Sequence, residues 1–302
     1  MLSKPGPILA VVAGWILLII FRWQKIPVWG LNGKSDKTVR FVETDRSPGK
    51  KQVVDPFKRK AMKKNLSIVR MMLAAIVFST CAPSLKAQSG VMVNVGADLV
   101  SGYVWRGVYQ IGSGASVQPS LGLAYKGFSI GAWGSTSLRE GFKELDLSAG
   151  YSVGGFSVGV TDYWWAGQGA PFYSDYLNTH LFEGTLGYHF GKKFPLHVSW
   201  STMFAGNLDK VDGERKFSTY IELGYDFRIK GVDLTCAVGV APWDAPAWLT
   251  PRWGDKGFQV SNISLKASKT VRITDSYSLP VFVQAVASPA TDDASLVFGI
   301  SF

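Results

Sequence analysis

The chain of 302 residues has a formal net charge of +10, but this charge is unevenly distributed. Residues 1–87 contain 16 Lys or Arg against 4 Asp or Glu, whereas residues 88–302 contain 16 against 18. The segment expected to fold therefore has no basic excess, which removes the main support for nucleic-acid binding. The two cysteines, Cys81 and Cys236, lie in segments with different predicted fates, so no disulfide framework is expected.

Residues 62–87 have the three parts of a secretory signal peptide. A basic leader extends to Arg70, residues 71–78 form an apolar core, and Leu85-Lys86-Ala87 is a small-residue exit. We therefore expect the mature protein to begin at Gln88.

Residues 1–61 precede this signal peptide, which is an unusual position for one. We interpret them as an upstream extension that arises from a mis-assigned start. The alternative is a short membrane anchor, because residues 8–21 are apolar. That run is shorter than the ~20 residues that a spanning helix needs. Residues 88–302 then form the predicted folded domain.

From Val91 to the C-terminus, twelve segments alternate apolar and polar residues with a period of two. The first places Tyr103 and Trp105 on its apolar face, and the fourth, residues 144–153, alternates most regularly. The last segment ends the chain on Phe302, which would leave an exposed apolar strand edge in a soluble protein. The pattern predicts an all-β fold: a transmembrane antiparallel up-and-down β-barrel of about 12 strands, with its last strand paired to its first.

The connections supply a second regularity. Short turns follow the even strands 2, 4, 6 and 8, and longer loops follow odd strands, with aromatic residues near both. This predicts periplasmic turns, external loops and a location in the outer membrane of a Gram-negative bacterium. The turn at residues 272–277 is longer than this pattern predicts. A soluble β-sandwich is the alternative, but it explains neither the signal peptide nor the aromatic belts.

A motif at the end of the first segment resembles that of the TorF-family putative porins. Residues 101–107 read S-G-Y-V-W-R-G, and Gln118-Pro119, residues 131–133 and residues 144–151 follow it. The motif residues are Ser101, Tyr103, Trp105, Arg106 and Gly107. The resemblance implies an outer-membrane channel.

With the apolar rows facing lipid, the other face of the strands lines the lumen. The charged candidates on that face are Asp98, Arg106, Glu144, Asp146, Glu183, Glu222, Asp226 and Lys266. Small residues share it, including Ser120, Gly224, Gly239 and Gly299, and they favour a narrow water-filled path. The acid majority favours cations. The alternative is that opposite charges pair across the lumen and fill it.

We therefore expect a passive channel for small, weakly cation-preferring solutes, with a closed surface scaffold as the alternative. An outer-membrane hydrolase has less support: His197 and Ser199 share one face, but that face is the lumen. His180 and His189 offer no carboxylate at metal-ligand spacing. No catalytic residue, metal site or cofactor is predicted. The expected partners are outer-membrane lipid, the barrel-assembly machinery through the strand that ends at Phe302, and small solutes, but not nucleic acid.

Overall fold

A computed structural model describes residues 90–110, 113–139, 141, 143–166 and 173–302. The expectations for residues 1–61, for the signal peptide at 62–87 and for a mature start at Gln88 lie outside this described part. Within it, no helix is long and apolar enough to cross a membrane.

Twelve antiparallel strands close into a barrel, which confirms the predicted all-β fold and strand number. The strands are numbered in chain order together with four short strands in the loops. The wall strands are β1 (Met92–Val100), β4 (Ser116–Tyr125), β5 (Phe128–Ser137), β6 (Lys143–Val153), β7 (Phe156–Ala166), β8 (His180–His189), β9 (Leu196–Ala205), β12 (Thr219–Ile229), β13 (Val232–Ala241), β14 (Gln259–Arg272), β15 (Ser278–Ser288) and β16 (Asp293–Ser301).

Side chains alternate across the wall as the period of two requires. Leu121, Ile130, Leu147, Leu223 and Phe298 lie on the outer face and are exposed. The polar rows between them face inward. Each wall strand pairs with a neighbour on both sides, so the ladders satisfy the backbone groups around the barrel.

The barrel closes where β1 meets β16. Asp98, Leu99 and Val100 pair with Ser301, Ile300 and Gly299. The Phe302 amide donates to the Ala97 carbonyl at 2.9 Å, and the Ala97 amide donates back at 3.3 Å. The C-terminal strand is therefore the predicted seam.

The connections differ between the two ends of the barrel. Two-residue turns at Lys126-Gly127, Gly154-Gly155 and Lys230-Gly231 have positive φ at both residues, which tight hairpins require. Six residues join β8 to β9, and five join β14 to β15. The opposite end carries the longer loops, with two exceptions: residues 138–142 join β5 to β6, and residues 289–292 join β15 to β16.

Two small hairpins lie within the long loops. The first consists of β2 (Val104–Trp105) and β3 (Val108–Tyr109). The second consists of β10 (Lys210–Val211) and β11 (Glu214–Arg215) and follows a 3-10 helix at Asn207–Asp209. The buried Asp209 carboxylate accepts the amides of Phe217 and Ser218 at 2.9 and 3.0 Å, which ties the second hairpin to the wall.

Candidate functional site

The β2–β3 hairpin folds into the barrel instead of extending the wall. Its turn residues, Arg106 and Gly107, have φ values of 56° and 83°, the left-handed pair that a tight hairpin turn uses. Gly107 lies against the inner surface of β14, because a Cβ added there would be 1.8 Å from the Ser261 carbonyl oxygen. Only glycine allows this approach.

The hairpin carries Arg106 into the middle of the lumen. Its Nη2 atom lies 2.5 Å from Glu183 Oε2, and both side chains are buried. The guanidinium carbon lies 4.2, 5.0 and 5.4 Å from the ring centroids of Trp105, Tyr220 and Trp248. These residues come from β2, β8, β12 and the loop after β13, so they can meet only across the interior.

The prediction that Tyr103 and Trp105 share the outward apolar face is wrong. Tyr103 is buried beside Trp133, with ring centroids 5.4 Å apart, and Trp105 packs against Tyr163 at 5.3 Å. The reason is that β1 leaves the wall after Val100, so the alternating pattern continues in a segment that has no wall partner.

Carboxylates surround this hairpin. The Trp165 indole donates to Glu144 Oε1 at 2.6 Å, and the Tyr163 hydroxyl donates to Glu183 Oε1 at 3.0 Å. Glu222 Oε2 accepts from the Tyr220 hydroxyl and from Asn262 Nδ2. We call this group the neck; its members are Trp105, Arg106, Glu144, Asp146, Tyr163, Trp165, Glu183, Tyr220, Glu222, Trp248 and Asn262.

The neck has an acidic excess and incomplete hydrogen bonding. Glu144, Asp146, Glu183 and Glu222 face a single cation, Arg106. Asp146 Oδ1 and Arg106 Nη1 are buried without a hydrogen-bond partner among the described residues. Because buried polar atoms are almost always paired with protein or ordered water, the neck is a place where water or a cation would be stabilised.

The short-turn half of the lumen is different. Ser120, Ser129 and Ser148 line the inner wall there and are exposed. We call this open half the vestibule. Of the eight predicted charged residues, Asp226 lies in the vestibule with 44% of its side chain exposed. The half-buried Asp98 lies on β1 outside the neck, and Lys266 Nζ lies 4.1 Å from the centre of the Phe282 ring.

Three of the small lumen residues border aromatic rings and not open space. A Cβ at Gly224 would lie 2.0 Å from the His197 ring, and one at Gly239 would lie 2.0 Å from Tyr220. At Gly299 it would lie 2.1 Å from Phe282. These three glycines make room for rings that lie flat on the wall.

A polar group lies on the outer face near the long-loop end, where sequence alternation predicts apolar residues. His180 Nδ1 lies 2.7 Å from Asp162 Oδ1, and the Tyr173 hydroxyl donates to Asp162 Oδ2 at 2.8 Å. Tyr176 stacks on the imidazole at 4.3 Å. Loop residues thus cover the carboxylate near the long-loop end. Strand periodicity does not predict that Asp162 is covered, because the covering residues come from a loop.

Residues 84–263 match a family described as a bacterial protein of unknown function, Gcw_chp. The chain belongs to the Gcw_chp family. The matched region includes the β2–β3 hairpin and the strands that hold the neck. This description does not carry the name of the TorF family, so that resemblance stays a prediction.

The solved structures that are similar to this Gcw_chp chain include the following two. The COG4313 outer membrane channel from Pseudomonas putida F1 is 14% identical, with a TM-score of 0.39, over 72% of this chain and 98% of that one. OccK9 (OpdG) from Pseudomonas aeruginosa is 13% identical, with a TM-score of 0.31, over 72% of this chain and 64% of that one. No curated protein matches the sequence.

Proposed function

We propose that this Gcw_chp protein spans the outer membrane of a Gram-negative bacterium and acts as a narrow passive channel for small, weakly cation-preferring solutes. Exposed apolar side chains form the outer face of the closed wall. Aromatic residues such as Phe128, Phe156 and Phe190 lie beside the short turns, as at a membrane interface. The strand that ends at Phe302 is the surface that the barrel-assembly machinery would recognise.

The observation that carries the channel is the charge of the neck. A solute that enters from the vestibule meets four carboxylates and one guanidinium, and the guanidinium is already paired with Glu183. Rings of carboxylates favour cations in a pore because they replace part of the hydration of the ion. Glu144 and Asp146 lie at adjacent inward positions of β6, and Arg106 pairs with neither of them.

Conductance of purified protein in planar bilayers tests this proposal. We expect discrete steps and a reversal potential that favours K⁺ over Cl⁻ in a salt gradient. Glu144→Gln with Asp146→Asn should weaken that preference. Asp212→Asn with Glu214→Gln is the matched control, since it removes the same charge from the exposed β10–β11 hairpin. A folded, heat-modifiable barrel that never conducts would overturn the channel.

A closed scaffold is the second candidate, and the packing of the neck favours it. Trp105, Trp165, Tyr220 and Trp248 fill the space around Arg106 with ring contacts of 5.5 to 6.4 Å. In that case the exposed loops would be the functional surface. A barrel that stays silent even after the hairpin is loosened would favour the scaffold. The hydrolase alternative gains no support, because among the described residues no hydrogen bond joins His197 to Ser199; the His197 ring lies 3.5 Å from Asp226.

A further inference from the structure

Three side chains with metal-ligand chemistry converge on the wall of the vestibule. His189 on β8 and His197 on β9 are direct cross-strand partners on either side of the turn between them. Asp226 lies on β12, the next strand, and also faces inward. None of the three belongs to the neck, and none contacts its residues. The chain contains only three histidines, and two of them meet here.

The distances are close to those of a coordinated ion. His197 Nδ1 lies 3.5 Å from Asp226 Oδ2, and His189 Nε2 lies 4.0 Å from the same oxygen. One ligand atom of each residue lies within 4.8 Å of the others. Zn²⁺ with bonds of about 2.0–2.2 Å holds its ligand atoms about 3.5 Å apart. The group needs only a contraction of about 1 Å.

Neighbouring residues hold two of these ligands in place. The Thr235 hydroxyl donates to Asp226 Oδ1 at 2.6 Å, which leaves Oδ2 directed at the imidazoles. The His197 ring lies flat on Gly224, where a Cβ would collide with Nε2, so Nδ1 is the nitrogen that faces Asp226. Such outer contacts orient metal ligands and raise affinity.

A turn orients the third ligand before an ion binds. The Gly191 amide donates to His189 Nδ1 at 2.9 Å, which aims Nε2 toward Asp226. Ligation through Nε2 places the ring proton on Nδ1, so this hydrogen bond is exchanged for one to water. The exchange costs little because the turn is exposed.

We propose that His189, His197 and Asp226 bind a divalent transition-metal cation such as Zn²⁺ or Ni²⁺. Two imidazoles with one carboxylate suit these ions, whereas Ca²⁺ and Mg²⁺ need more oxygen ligands. The ligands are 29–46% exposed, so water completes the coordination. This site goes beyond the proposed channel, because binding at the vestibule wall does not require passage through the neck.

Isothermal titration of the folded protein in detergent with ZnCl₂, without a histidine tag, tests the site. We expect one Zn²⁺ per chain and a loss of at least about tenfold in affinity for His189→Ala, His197→Ala and Asp226→Asn. Thr235→Val should weaken binding without removing a ligand. Asp233→Asn is the matched control, since Asp233 is an exposed carboxylate near the same end of the barrel that pairs with Arg228.

Three outcomes would overturn the proposal: no Zn²⁺ binding by a heat-modifiable barrel, unchanged binding when His189→Ala and His197→Ala are combined, or Ca²⁺ binding as tight as Zn²⁺ binding. If His197→Ala fails to fold, His189→Gln keeps the test, because His189 lies at the exposed turn. Titration does not depend on conduction. A barrel that binds Zn²⁺ but does not conduct would reject only the channel proposal. A barrel that conducts but does not bind Zn²⁺ would reject only the metal-site proposal.

Discussion

Removal of the Glu183 charge should release the β2–β3 hairpin from the neck. Glu183→Gln keeps the shape of the side chain and a partner for the Tyr163 hydroxyl, but it leaves Arg106 as a buried, unpaired cation. The backbone hydrogen bonds between the wall strands are unchanged. We therefore expect undocking of the hairpin at a much lower free energy than unfolding of the barrel.

The magnitude follows from the burial of the pair. Loss of one partner of a buried ion pair costs about 3–5 kcal/mol. The three rings around Arg106 contact it in both the parent and the variant, so their cation–π energy cancels in the difference, and we take the lower end of this range. A net cost near 3 kcal/mol raises the undocked fraction by about a hundredfold, because 1.4 kcal/mol corresponds to a factor of ten.

Cysteine labelling measures this fraction. Val108→Cys, in a Cys236→Ser background, puts a thiol on the hairpin where Val108 packs against the core of the neck. Glu183→Gln should raise its maleimide labelling rate about a hundredfold, and adding Arg106→Met should restore most of the protection by removing the unpaired charge. Asp226→Asn, which removes a lumen carboxylate away from the hairpin, should leave the rate unchanged. Equal rates in the single variant and the parent would refute the reasoning.

Two further predictions concern the hairpin turn and the membrane topology. Gly107→Ala should increase the same labelling rate at least about tenfold, because alanine disfavours a positive φ and its Cβ would collide with Ser261. Gly213→Ala should not increase it, since Gly213 also has a positive φ, 81°, but has open space around it. Equal effects of the two substitutions would show that the collision with Ser261 is not the cause. Cysteines that replace Asp212 and Asp255 should react with an impermeant maleimide on whole cells, and one that replaces Lys126 should not. Labelling at Lys126 alone would show that the short turns, not the long loops, lie outside the cell.

The wall could be predicted because it follows local rules. In β6, Leu145 and Leu147 alternate with Glu144 and Asp146, and Gly154-Gly155 supplies the positive φ of the next turn. A strand that has lipid on one face and a lumen on the other carries this pattern in every pair of residues. The number and direction of the strands follow from the repetition of that pattern.

The neck could not be predicted in the same way. S-G-Y-V-W continues the period of two beyond Val100, and alternation alone does not show where a strand loses its partners. The Arg106-Gly107 pair was the available indication of a tight turn at that point, since Arg-Gly replaces the common Asn-Gly pair, and the structure gives both residues a positive φ. Trp248 had no such indication, because it reaches the neck from a long loop.

The vestibule ligands could not be predicted from the sequence for a different reason. Metal-ligand spacing is defined along one element, whereas His189, His197 and Asp226 come from three strands. Their meeting was nevertheless recoverable from register: His189 and His197 stand at the last and second positions of strands joined by one turn, and Gly224 pairs with His197. A glycine opposite a histidine on the inner face leaves room for the ring, and Gly299 does the same for its cross-strand partner Phe282.

The division of the lumen separates two properties that a single wide pore would combine. In the proposed channel, passage would depend on the neck, where hairpin docking, Arg106 and four carboxylates act together in a filled, low-dielectric space. At the proposed metal site, binding would depend on the vestibule, where half-exposed ligands can exchange ions without moving the hairpin. Substitutions in one half should therefore leave the other unchanged, as expected for sites without shared partners. A change in Zn²⁺ affinity caused by Glu183→Gln would show instead that the hairpin and the vestibule wall move together.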